Sequence, residues 1–315
     1  MSVNFVNFTI FKFKAPDMIN FSIVMRVWIV ILLTLSLAGC NKNKQKPARS
    51  DIITVSILPQ KYFVDQLSGN RFEVNVMLPP GANPVTYEPT PRQMKDIGVS
   101  SAYLRIGYIV FEKNWMKRFE SINPQLKIFD QSKGANLIYR ENHKGISENS
   151  KSSGKGVDPH IWLSPKSVKR QVRHIRDMLI EIDPGNEEKY KTHYQTFLAG
   201  IDSLDREIEE ILSGKDNRSF MIFHPALTYF ARAYHLEQIP IQLEGKEPTP
   251  ARIRKIMDQA EEHNFRHILV QKQFSTDEAR TLAKALGGEV FRIDPMAYEW
   301  RKNMMEIARK VEQAV

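Results

Sequence analysis

One apolar stripe constrains this chain more than any other feature. Tyr190, Tyr194, Phe197, Ile201, Leu204, Ile208 and Ile211 recur at spacings that alternate four and three. That period puts all of them on one face of a single helix. Asp183-Pro184-Gly185 ends whatever precedes it, Asn186 is a candidate cap, Glu187 and Glu188 suit the positive end of the helix dipole, and Gly214 suits the far terminus. From 187 to 212 the helix would span about 39 Å at 1.5 Å per residue. A helix that long, with one apolar face, can lie across two bodies. The competing reading is a coiled-coil seam.

The flanks favour the first reading, because both alternate strand and helix patterns. Before the stripe, β-rich runs fall at 52–57, 72–78, 103–106 and 126–129, with helical segments at 61–67 and from 91 onward. Residues 141–157 are rich in serine and glycine and read as a surface loop. A helix follows whose apolar positions are Val168, Val172, Ile175, Leu179 and Ile182. After the stripe come strands at 219–223, 239–241, 267–270 and 289–293, and helices at 226–234, 250–262, 276–286 and 304–315. The expected fold is α/β: two lobes with mostly parallel sheets, joined by one long rigid helix. A chain of 315 residues, 42% apolar and 26% charged, is long enough for two such cores. The expected boundaries are 51–185 for the first lobe, 186–214 for the linking helix and 215–315 for the second.

The N-terminus reads as a targeting segment. Arg26 precedes an apolar run from Val27 to Leu37, which ends in Leu37-Ala38-Gly39-Cys40. A positive residue, a short apolar core and small residues before a cut make a secretory signal over 1–39. The run is shorter than the about 20 residues that cross a bilayer. Met25-Arg26 is taken as the start of translation and 1–24 as an extension. Cys40 is the only cysteine, so no disulfide can form within the chain. Residues 40–50 form a polar tether in which Lys42, Lys44, Lys46 and Arg49 supply much of the net charge of +9. A basic tail beside a membrane accounts for that charge, and no basic-aromatic stripe points to nucleic acid.

In open α/β sheets, ligands meet the loops beyond the carboxyl ends of the strands. His160, His224 and Asp294 are the metal-capable residues assigned to such positions, the first in the early lobe and the other two in the late one. Two imidazoles and a carboxylate suit a borderline divalent ion, zinc or manganese, held in a cleft between the lobes. His263 and His267 have the spacing of a helical pair, but Asn264-Phe265 should end the helix between them. His174 and His193 fall on polar helix faces, and His235 falls in a turn.

Several motifs together resemble the solute-binding lipoproteins of zinc and manganese ABC importers. They are Leu37-Ala38-Gly39-Cys40, which matches the bacterial lipobox, Tyr87-Glu88-Pro89-Thr90-Pro91, Gly107 with Glu112 and Trp115, and Asp158-Pro159-His160-Ile161-Trp162. Asp183-Pro184, His224-Pro225-Ala226 with Tyr229-Phe230, Glu244-Gly245 with Glu247-Pro248, and Asp294-Pro295 complete the set. The resemblance covers nearly all of 51–315. It implies a lipidated Cys40, a body held outside the cytoplasm on the periplasmic or extracellular face of a bacterial membrane, and a monomer that captures Zn2+ ahead of Mn2+ for an ABC permease. It implies His160, His224 and Asp294 as metal ligands and no catalysis. The chain departs from the family at one position: the first histidine, before the Tyr-Glu-Pro-Thr-Pro motif, is Val85 here. Nor is the loop at 141–157 histidine-rich, since it holds only His143. Glu88 is the candidate auxiliary ligand. Alternatives left open are a metal chelate or another small solute as cargo, and a surface adhesin. A metal hydrolase is disfavoured, because no His-Glu-x-x-His is present and no general base stands out.

Overall fold

A computed structural model of the chain describes residues 51–139, 156–242, 249–263, 265–274 and 277–315. The targeting segment, Cys40, the tether, most of the serine-rich loop, and the Glu244 and Glu247 motifs fall outside these residues. The first lobe is a sheet of β1 (Ile52–Val55), β2 (Glu73–Val76), β3 (Ala102–Arg105) and β4 (Lys127–Asp130), in the order β2-β1-β3-β4. Its helices are α1 (Leu58–Ser68), α2 (Pro91–Val99) and α3 (Val110–Ile122). After α4 (Pro165–Ile182) and α5 (Glu187–Leu212), a second sheet repeats the plan with β5 (Ser219–Ile222), β6 (Glu237–Pro240), β7 (His267–Gln271) and β8 (Glu289–Ile293), in the order β6-β5-β7-β8. Its helices are α6 (Thr228–Ala233), α7 (Pro250–Glu262), α8 (Asp277–Ala285) and α9 (Trp300–Ala314).

Every strand pairing is parallel, so the two sheets are wholly parallel rather than mostly so. Ile53 stands opposite both Val74 and Ala102, and Ile268 opposite Met221 and Val290. Parallel strands need crossovers, and helices covering both faces leave the strands as short apolar runs. In each sheet the order reverses at one crevice, between β1 and β3 and between β5 and β7. Those switch points are where doubly wound folds take ligands.

The long helix runs over 187–212 as the stripe requires. Two local details differ. Asn186 does not cap it; the residue ends a short 3-10 turn and its Nδ2 donates to Asp183 Oδ2 at 2.9 Å. At the far end Leu212, not Ile211, is buried, since a step of four from Ile208 keeps the inward face better than a step of three. Gly214 has φ of 70°, the left-handed conformation a helix stop favours. All five apolar positions expected in α4 are buried, and α4 packs along α5.

The expected elements leave the span between Gly107 and Leu126 without a helix, yet α3 fills it. Its signal is present in Phe111, Trp115, Phe119 and Ile122, spaced four, four and three. The closing helix α9 also begins ahead of its expected start at 304, because Trp300 is part of its buried face. α9 packs against both α5 and the second sheet. Trp300 Nε1 donates to the Trp162 carbonyl at 2.8 Å, and Trp162 Nε1 donates to the Pro295 carbonyl at 2.7 Å. The Trp300 ring meets Phe63 of α1 edge-on at 5.2 Å. The lobes are therefore clasped directly as well as through α5. Among the described residues no helix is long and apolar enough to cross a membrane.

Candidate metal centre

His160 is held by its own neighbourhood. It stands in the turn leading into α4, not directly after a strand as expected. Asp158 Oδ1 accepts the His160 backbone N–H at 2.9 Å and the ring Nδ1–H at 2.8 Å. The first bond is the local turn an aspartate makes with the residue two places on. The second fixes the tautomer and leaves Nε2 as the nitrogen able to coordinate, the usual orienting role of a carboxylate behind a metal-binding histidine. Asp158 is itself buried. Burial alone would push its carboxyl up, but the attraction of His160, the bonds from that residue and the one from Thr228 hold it below its ordinary value. Thr228 belongs to α6, and its hydroxyl donates to Asp158 Oδ2 at 2.8 Å. Tyr229 donates to the Asp158 carbonyl at 2.9 Å. One aspartate thus orients the early-lobe histidine and ties it to the late lobe.

His224 follows β5 at the second switch point. Its Nδ1–H donates to Gln242 Oε1 at 3.1 Å, which puts the lone pair on Nε2. Its backbone N–H reaches Gln271 Oε1 at 3.4 Å, and the Gln271 amide donates back to its carbonyl. Phe274 stacks on the ring at 5.0 Å between centroids. The glutamines were not singled out in the sequence, because nothing local marks a residue that bonds across a sheet.

The two rings come together. Their centroids are 5.5 Å apart at 73°. Two imidazoles on one tetrahedral ion, with metal–nitrogen distances near 2.0–2.1 Å, have centroids about 5 Å apart. Both line a cavity of about 290 Å³ whose other walls include Val85, Ile109, Val110 and Met296. Val85 is 60% exposed. Asp294 is not part of this lining. Its Oδ1 accepts from Met296 N–H at 3.1 Å and Gln273 Nε2 at 3.3 Å, and its Oδ2 lies 3.4 Å from Lys272 Nζ. Glu88 is exposed and also outside the lining. Among the described residues no three histidine, cysteine or carboxylate side chains stand grouped for a metal. His263 ends α7 and stacks on Phe265, while His267 opens β7 and stacks on Phe291, so the pair is split between elements.

A buried carboxylate, Glu112, holds the bend that precedes Tyr108. Glu112 accepts the backbone N–H groups of Ile106 and Gly107, each at 2.7 Å, and the Ser56 hydroxyl. Gly107 has φ of 108°, and a Cβ there would sit 2.9 Å from Ser132 Oγ, so only glycine fits the bend that turns Tyr108 to Val110 toward the cavity. Burial outweighs these donors and raises the Glu112 carboxyl to about 7. Folded chains therefore hold this proton between the usual 4.5 and about 7 while unfolded chains release it. Stability from this group is fully present below pH 4.5 and declines as pH rises through about 7. Urea unfolding of the wild type and of Glu112→Gln across that range checks this. The variant should lose that part of the pH slope and be destabilised by about 1–3 kcal/mol, since its amide cannot accept all three bonds. An unchanged slope would refute the assignment.

Two α/β lobes clasped around a histidine-lined cleft define a solute-binding protein. The profile of the family described as "ZnuA: Zinc-uptake complex component A periplasmic" matches residues 53–314. The high-affinity zinc uptake system protein ZnuA of Bacillus subtilis (strain 168) is 26% identical over 274 residues, covering 84% of this chain and 85% of that protein. A crystal structure of ZnuA superposes with a TM-score of 0.77 at 36% identity, covering 84% of this chain and 99% of that one. A ZnuA deletion mutant with zinc bound superposes at 0.76 and 36% identity, covering 84% and 98%. The chain belongs to the ZnuA family of periplasmic zinc-uptake components: it is a metal-binding solute-binding protein, not an enzyme.

Proposed function

We propose that this chain captures a divalent ion in the cleft, zinc ahead of manganese, and delivers it to an ABC permease. The observation that carries the reading is the approach of His160 and His224, each with Nδ1 engaged by an acceptor. Imidazole suits zinc, whereas manganese prefers oxygen donors. The zinc-bound relative at 36% identity supports the same choice. Asp294 is the third ligand in this proposal; it must release Lys272 and turn toward the histidines. Glu88, exposed on the loop after Val85, is the auxiliary candidate. Cys40 carries the lipid, and residues 40–50 tether the first lobe (51–185), the linking helix (186–214) and the second lobe (215–315) outside the cytoplasm.

Calorimetric titration of the protein with zinc and with manganese tests the reading. Zinc should bind one to one and more tightly. No uptake of either ion at micromolar concentrations would overturn it. In the same titration Val85→His should bind zinc at least about tenfold tighter, about 1.4 kcal/mol, by restoring an imidazole to the cavity wall. Unchanged affinity would mean that position 85 does not face the ion.

A further inference from the structure

His160 belongs to the early lobe, but the groups that aim its ring reach back into the late lobe. Gln238 stands on β6, the edge strand of the second sheet. Its Oε1 accepts the Leu227 backbone N–H at 3.1 Å. A backbone N–H can only donate, so the amide is fixed with its Nε2 on the other side. That Nε2 donates to the Thr228 hydroxyl oxygen. A hydroxyl carries one proton, and that of Thr228 goes to Asp158 Oδ2 at 2.8 Å. Asp158 Oδ1 takes the His160 ring Nδ1–H, also at 2.8 Å. The carboxylate therefore has a donor on each oxygen, one from each lobe.

The late-lobe donor matters because of how an aspartate is hinged. The torsion that sets the plane of its carboxylate is broad and has no sharp staggered wells. Held at Oδ1 only, the carboxylate can swing and take the His160 ring with it. Held at both oxygens, its plane is set, and so is the direction of the ring Nε2. The main chain here is anchored separately, since Tyr229 donates to the Asp158 carbonyl at 2.9 Å and accepts the Ile138 N–H at 3.0 Å. Loss of the Thr228 hydroxyl therefore frees the carboxylate and leaves the turn in place. We propose that Thr228, itself oriented by Gln238, is a positioning residue for the metal: by fixing the Asp158 carboxylate it aims His160 Nε2 into the cleft beside His224. This rests on the reading of the cleft as a zinc site.

Thr228→Val, which keeps the branched shape and removes the hydroxyl, tests it. Zinc affinity by calorimetric titration should fall about tenfold, the lower end of what orienting partners of metal ligands contribute, and a fall below about threefold overturns the proposal. Thr228→Ser keeps the donor and should bind zinc as the wild type does. A Ser variant as weak as the Val variant makes the effect one of packing and overturns the proposal as well. Imidazole nitrogen NMR of the metal-free protein gives a readout that lost stability alone does not move. The His160 Nδ1–H should be protected from solvent exchange in the wild type and in Thr228→Ser. In Thr228→Val it should exchange faster, while the His224 signals stay unchanged. Equal protection in Thr228→Val, or an equal change at both rings, overturns the proposal. Each of these results, obtained beside a wild type that binds zinc, leaves the zinc reading standing. A wild type that takes up no zinc overturns that reading and the proposal with it.

Discussion

His224→Ala should lower zinc affinity by more than about 100-fold. Removing a group that only orients a ligand typically costs 10–100-fold in metal affinity, and His224 is proposed as a ligand itself. The loss falls hard here because Val85 contributes no donor and Asp294 is engaged by Lys272, Gln273 and the Met296 N–H. The variant should fold normally. His224 is only partly buried at the cavity wall, and Phe223 and Phe274 keep their contact beside it. Competition against a chromogenic zinc chelator measures the effect, and circular dichroism checks the fold. An affinity within threefold of wild type would remove His224 from the site. His160→Ala should behave alike, with an added stability loss, because it leaves the buried Asp158 carboxylate without the ring donor at Nδ1.

Trp300→Ala should destabilise the protein by about 3–5 kcal/mol, the usual range for deleting a large buried aromatic. Trp300 is among the largest fully buried side chains. It belongs to the helix that closes the late lobe, yet it packs on Phe63 and donates to Trp162 in the early lobe. Its removal opens a cavity at the lobe junction and leaves the Trp162 carbonyl without that donor. The partner bond from Trp162 to Pro295 then loses support next to the cleft. Guanidinium unfolding gives the stability change. A loss below 1 kcal/mol would mean the clasp contributes little and α5 alone joins the lobes. Zinc affinity should weaken in parallel, since Trp162 and Pro295 both line the cavity.

Periodicity alone made much of the architecture legible. The stripe from Tyr190 onward marked a 26-residue helix at its observed bounds, because the positions that face a neighbour are set by 3.6 residues per turn. The strand run Ser219–Ile222 was equally plain, since a strand covered on both faces must be apolar. The misses were local. Asn186 looked like a cap because its residue type favours one, but Asp183 offered its side chain a better partner. His160 and His224 could be named as candidates from the residues beside them, and Val85 could be marked as a departure. Whether any two of these meet depends on how the lobes close on each other. Only the tertiary structure brought the two rings to 5.5 Å and put Asp158 behind one and Gln242 behind the other. Only it turned the Asp294 carboxylate toward Lys272. The physical reason is one of range. Helices and strands are chosen by neighbours a few residues away, which the sequence displays. The cleft is made by groups more than sixty positions apart, and their meeting is decided by the packing of Trp162, Trp300 and Phe63 at the lobe junction.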